Sequence, residues 1–265
     1  MTTWVLLRGL TRESRHWGSF ASTFDTTVRP ARVVLLDLPG NGVLHRMRSP
    51  ASVPAMVSAC RNQLAVQGIR GPVHLLAMSL GAMVAAHWSR VAPNEVAGCV
   101  LINTSFRPFS PVFQRLRPRN YAALALSLLP GQSAHALERR IWSMTSNHHG
   151  TTGHVVPQWV ALREQWPVSA GNAMRQLAAA ACFSAPSGPP PVPVLLLSSA
   201  ADRLVDDRCS QAIARAWRCP HERHPTAGHD LPLDAPQWVA QSVAQWMSGR
   251  GAIGWPPERA ATPPL

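Results

Sequence analysis

The chain has 265 residues, 46% of them hydrophobic, and a formal net charge of +12 in which all 25 basic residues are arginine. That is enough apolar material for one substantial core. The arginines are dispersed and there is a single tyrosine, so nucleic-acid binding is set aside. A solvated basic surface is expected instead, whose functional version would steer acidic substrates or partners toward a site. The apolar run at residues 4–7 is cut by Arg8 and Gly9, too short for a signal peptide or a membrane span. Five scattered cysteines with no paired spacing suggest reduced thiols in a cytoplasmic protein, with no disulfide frame, metal or cofactor.

In chain order, WVLLRG (4–9) reads as a buried strand, followed by a polar loop holding Trp17. ARVVLL (31–36) is a second strand, ended after Asp37 by the turn Pro39-Gly40-Asn41-Gly42. Ser52 then caps a helix with Pro54 near its first position. Val53, Met56, Val57, Cys60 and Leu64 recur at helical spacing, and Gly68 sits just past the end. PVHLLAM (72–78), VAGCVLINTS (96–105) and VPVLLLSSA (192–200) are three more strands. RCPHERHP (218–225) is a short edge strand, and 236–247 a final amphipathic helix. Strands alternating with helices give an α/β class, with a mostly parallel six-stranded sheet and helices on both faces. Residues 106–185 carry helical patterns without a strand and end in the stiff linker Pro186-Ser187-Gly188-Pro189-Pro190-Pro191. The expected division is a core at 1–105 and 186–248, a helical insertion at 106–185, and a loose tail at 249–265.

Ser79 lies between an apolar strand and an apolar helix, in Ala77-Met78-Ser79-Leu80-Gly81. In a tight strand-to-helix turn the residues two before and two after the serine come close together and have to be small, as Ala77 and Gly81 are. The following helix would aim free amides and its positive dipole end at the serine. Further on, Asp202 follows the fifth strand in SSAADRLVD, and His229 lies in TAGHDLPLD before the last helix. Asp202 read alone is a helix cap for the segment near Asp207, and His229 an ordinary loop residue.

The A-x-S-x-G turn, with Asp202 and His229 in that chain order, resembles the α/β-hydrolase superfamily. The first glycine of its nucleophile elbow is here Ala77, and its leading two strands have no counterpart before residue 4. The resemblance implies a catalytic set of Ser79 as nucleophile, His229 as base and Asp202 as orienter. It implies oxyanion donors at the amides of Leu10 and Leu80, and a lid formed by 106–185. Arg8 stands where the superfamily usually has histidine. It is either a loop-packing residue or a cation for a substrate carboxylate or phosphate.

The insertion offers Trp142, Trp159 and Trp166, with Met144, Leu126, Leu128 and Leu129, as acyl-pocket candidates or as packing within the lid. His148, His149 and His154 match no zinc spacing and read as a polar loop. Pro39 to Gly42 is too short and misplaced to cradle a phosphate. The expected function is hydrolysis of a small-molecule carboxylic ester or thioester through an acyl-enzyme. A lactonase, a carbon–carbon bond hydrolase, an acyltransferase and a non-catalytic small-ligand binder remain open on the same residues.

Overall fold

The computed structural model describes residues 2–29, 31–129, 131–148 and 153–249. The tail from 250 on, expected to be loose, lies outside the described residues. In chain order the first half holds β1 (Thr2–Leu7), α1 (Phe20–Thr27), β2 (Ala31–Leu36), α2 (Val53–Val66), β3 (Val73–Met78), α3 (Leu80–Val91) and β4 (Val96–Ile102). There follow α4 (Val112–Arg115), α5 (Tyr121–Leu128), α6 (Ala134–Thr145), α7 (Val155–Gln165) and α8 (Ala170–Cys182). The chain then forms β5 (Val194–Ser199), α9 (Arg208–Trp217), β6 (His221–His224), α10 (Leu231–Asp234) and α11 (Pro236–Gly249).

Side-chain alternation decides the sheet. In β1, Val5 and Leu7 join the core on one face while Trp4 and Leu6 join the core on the other, and all four are fully buried. Leu75 and Ala77 against Leu76 and Met78 repeat this in β3, as do Cys99 and Leu101 against Val100 and Ile102 in β4. Strands buried on both faces belong to a parallel sheet between two helix layers. The six strands run in the order β2-β1-β3-β4-β5-β6, and every neighbouring pair is parallel. Residues of α2, α3 and α9 pack on one face, and residues of α1 and α11 on the other.

The loop expected around Trp17 contains more structure than the sequence suggests: a 3-10 turn at Ser14–Trp17 and then α1. The α1 sequence FASTFDTT is rich in hydroxyl residues, which compete with helical hydrogen bonds. It holds because Phe20 and Phe24, one turn apart, are buried against aromatic partners. The Phe24 ring lies 5.1 Å from Trp4 and the Phe20 ring 5.4 Å from Trp17. Burial outweighs a weak propensity here.

Segment 106–185 contains no named strand among the described residues. Its two ends meet: Arg107 and Ser184 form an isolated bridge, and the Ala185 amide donates to the Arg107 carbonyl at 2.7 Å. The helices between therefore leave the sheet and return at one point, beside the carboxyl ends of β3 and β4.

Candidate active site

The site gathers at the carboxyl edge of the sheet, where loops follow β1, β3, β4, β5 and β6, the usual ligand side of such folds. Ser79 is the one residue between β3 and α3, with φ 55° and ψ −117°. A non-glycine residue in that region carries strain of about 1–3 kcal/mol and persists only where its surroundings hold it. Here the Ser79 amide donates to Ile102 O at 2.9 Å, and Thr104 Oγ1 donates to Ser79 O at 3.1 Å. Gly81 permits the turn, because a Cβ there would stand 2.5 Å from Arg8 O and 2.6 Å from Leu7 O. The elbow is thus pressed against the end of β1.

His229 is 2% exposed and its Nδ1 lies 2.7 Å from Asp202 Oδ2. The other oxygen of Asp202 accepts the amides of Leu204 at 2.8 Å and Val205 at 3.0 Å, which fixes the carboxylate. Asp202 thus faces His229 and turns the loop after β5 rather than capping α9. The second ring nitrogen, His229 Nε2, is buried and has no hydrogen-bond partner among the described residues. Ser79 and His229 border the same cavity of about 250 Å³.

Asn103 positions this histidine, a role the sequence reading missed. Its Nδ2 donates to His229 O at 2.8 Å, while its Oδ1 accepts the Ser199 amide at 2.9 Å. One side chain after β4 therefore ties the end of β5 to the histidine loop. The only hint in the sequence is a polar residue ending an apolar strand. Asp234 anchors the other side, accepting the Gly228 amide at 2.7 Å and Ser146 Oγ at 2.6 Å.

The loop after β1 lies directly on the serine: a Cβ at Gly9 would sit 3.1 Å from Ser79 Cβ. The Leu10 amide makes no hydrogen bond among the described residues. Leu80 is the first residue of α3, where an amide has no helical acceptor. The loop is fixed from behind, since the Thr11 amide donates to Gln176 Oε1 of α8 at 2.8 Å. Gln176 Nε2 in turn donates to Asn41 Oδ1 at 2.7 Å, and Asn41 Nδ2 to Arg12 O at 2.9 Å. The Pro39–Gly42 turn therefore supports this loop.

Arg8 borders the cavity that Ser79 and His229 share and pairs with a carboxylate of the chain itself. Its Nη1 and Nη2 donate to the Asp230 carboxylate at 3.0 and 2.6 Å, and its guanidinium lies 4.8 Å from the Trp17 ring centre. Trp142 and Trp159 are on the wall of neither cavity that touches Ser79. Trp159 is 4% exposed and packs its ring under Arg12 at 4.0 Å; Trp142 is half-buried in α6. The lining is aliphatic instead, including Leu124, Leu128, Leu129, Ile141 and Met144. A second cavity of about 140 Å³ also reaches Ser79, bounded by Leu80, Met83 and Leu116. His148 and His154 belong to no group of three metal-ligating side chains among the described residues, and His149 lies outside them. No described helix is long and apolar enough to cross a membrane.

The fold is similar to that of a hydrolase from Pseudomonas aeruginosa PA01, with TM-score 0.75, 17% identity and coverage of 93% of this chain and 89% of that one. A thermophilic esterase from Thermogutta terrifontis gives 0.70 at 21% identity, covering 94% and 90%. A lipase-esterase related protein from Clostridium acetobutylicum ATCC 824 gives 0.68 at 14%, covering 92% and 93%. No match was found among curated protein sequences. The sequence model of the alpha/beta hydrolase family matches residues 4–242, and with that fold and that span the chain belongs to the alpha/beta hydrolase family.

Proposed function

We propose that this chain is a serine hydrolase that cleaves a carboxylic ester or thioester through an acyl-enzyme. Ser79 Oγ attacks the carbonyl carbon while His229 Nε2 takes its proton. Asp202, on Nδ1, holds the ring and stabilises the imidazolium. The oxyanion is received by the Leu10 and Leu80 amides, each contributing about 3–4 kcal/mol of barrier lowering if it acts as such donors do elsewhere. Collapse expels the alcohol or thiol, which takes the proton from His229. Water then repeats the sequence on the acyl group and releases the acid. In this reading α5 to α8 form the lid, and the two cavities meeting at Ser79 take the acyl and leaving groups.

The observation that carries the reading is His229, whose Nδ1 is bound to Asp202 and whose Nε2 is buried without a partner beside the cavity it shares with Ser79. An esterase neighbour supports the class of reaction without fixing the substrate. The test is labelling with a fluorophosphonate probe, with adducts mapped by mass spectrometry. An adduct on Ser79, absent in Ser79→Ala and His229→Ala, is expected. Folded protein that resists both this probe and a smaller sulfonyl fluoride would refute the reading in favour of a ligand-binding role.

A further inference from the structure

The same cavity that touches Ser79 and His229 is bordered by three arginines, Arg8, Arg12 and Arg163, and by only one acid, Asp230. Arg8 and Asp230 neutralise one another. Arg12 and Arg163 share a single carboxylate, that of Glu138, which is completely buried. Arg12 Nη1 reaches it at 2.6 Å, and Arg163 Nε donates to its other oxygen. The next acid along, Glu13, is taken by Arg15 at 2.8 Å and is not on the cavity wall. His16 brings no negative charge: its Nε2 lies 3.0 Å from Arg12 Nη1. The group is left one positive charge in excess.

A buried charge without a counter-ion is costly, and an arginine fork is matched to a carboxylate. Arg12 is 6% exposed, and its Nη2 is buried with no hydrogen-bond partner among the described residues. Burial lowers the Arg12 pKa, Glu138 raises it, and Arg163 and Arg8 lower it, so the three cations sense one another. The wall of the same cavity also carries the aliphatic side chains of Leu124, Leu137, Ile141 and Leu177.

We propose that the cavity selects substrates bearing one carboxylate at the end of a short apolar chain, and that Arg12 and Arg163 receive it. This rests on the hydrolase reading for the reacting group, but its recognition step needs no chemistry. Arg8, the cation that the sequence offered for this purpose, is a positioning residue here.

The experiment measures binding by calorimetry to Ser79→Ala protein, using two unreactive probes of equal length, adipamate and hexanamide. Hydrolysis of monomethyl adipate and methyl hexanoate by wild type is followed in parallel. Adipamate is expected to bind at least about tenfold more tightly, as a charge-assisted hydrogen bond implies, with the ratio collapsing in Arg12→Gln or Arg163→Gln. Arg163 is the less buried of the two, so Arg163→Gln carries the test if Arg12→Gln fails to fold. Affinities equal within about twofold, or a preference unchanged in both folded variants, would overturn the proposal. Tighter binding of butyl phosphate than of adipamate would overturn the carboxylate assignment. Selective adipamate binding with neither ester hydrolysed would remove the hydrolase reading and leave this one. Hydrolysis of both esters without selectivity would do the reverse.

Discussion

Arg8 and Asp230, 222 positions apart, close a two-bond ion pair at 3.0 and 2.6 Å between the loop that offers the Leu10 amide and the loop that carries His229. Both side chains are almost fully buried, at 2% and 3% exposure. Removing one partner leaves the other as a buried uncompensated charge, at a cost of about 3–5 kcal/mol. Urea unfolding of Arg8→Ala should show a loss of that size. The double variant Arg8→Met with Asp230→Leu should recover most of it, giving a large coupling in a double-mutant cycle. Additive losses would mean that the pair is not coupled.

Gly81→Ala should destabilise the protein and reduce labelling of Ser79. Its Cβ would meet the Leu7 and Arg8 carbonyl oxygens at 2.6 and 2.5 Å, both backbone atoms that cannot rotate away. Overpacking of this kind costs about 1–3 kcal/mol. The thermal midpoint and the rate of fluorophosphonate labelling should fall together, while Gly153→Ala, with open space around it, should change neither.

Asn103→Ala should lower kcat by about tenfold to a hundredfold because it loosens His229, whatever change in KM follows from its place on the wall of the smaller cavity. A change confined to KM would contradict the positioning role.

His16 gives a pH prediction with a definite sign. Burial first, then Arg12, Arg8 and Arg163, hold its pKa well below the ordinary 6.5. Below that ordinary value the unfolded chain binds a proton that the folded chain refuses, so this residue's contribution to stability is present above about pH 6.5 and is lost as pH falls. Between pH 6.5 and 5 it should contribute a slope approaching about 1.4 kcal/mol per pH unit. His16→Asn should flatten the unfolding free energy over that range relative to wild type. Parallel curves would show that His16 is protonated in the fold.

The parts legible in the sequence obey local rules. Ser79 sits where a strand gives way to a helix with small residues on either side, and Asp202 and His229 follow strand ends in the loops that face it. The strands β1, β3 and β4 were equally readable as short apolar runs. What escaped depends on partners far along the chain. The α1 helix needs Trp4 and Trp17 to bury its two phenylalanines. The work of Arg8 is defined by Asp230, and that of Arg12 by Glu138, 126 residues away. The two readings of the tryptophans of the insertion, pocket or packing, could not be separated in the sequence, because density of aromatic residues says nothing about which side of a helix they occupy. The Arg12 guanidinium lies over the Trp159 ring, and aliphatic residues of α5 and α6 line the cavity that Ser79 borders.

The polar ties of the covering helices make them unequal in how readily they can move. Lifting α6 would strip Glu138 from both its cations, and lifting α8 would release Gln176 from Thr11 and Asn41. The α5 helix has no buried residue, is joined to α6 by Arg140 donating to Ser127, and contributes Leu124 and Leu128 to the cavity. Of these three helices α5 is thus the one held by the fewest buried side chains, although it shares the wall of the cavity with Ser79.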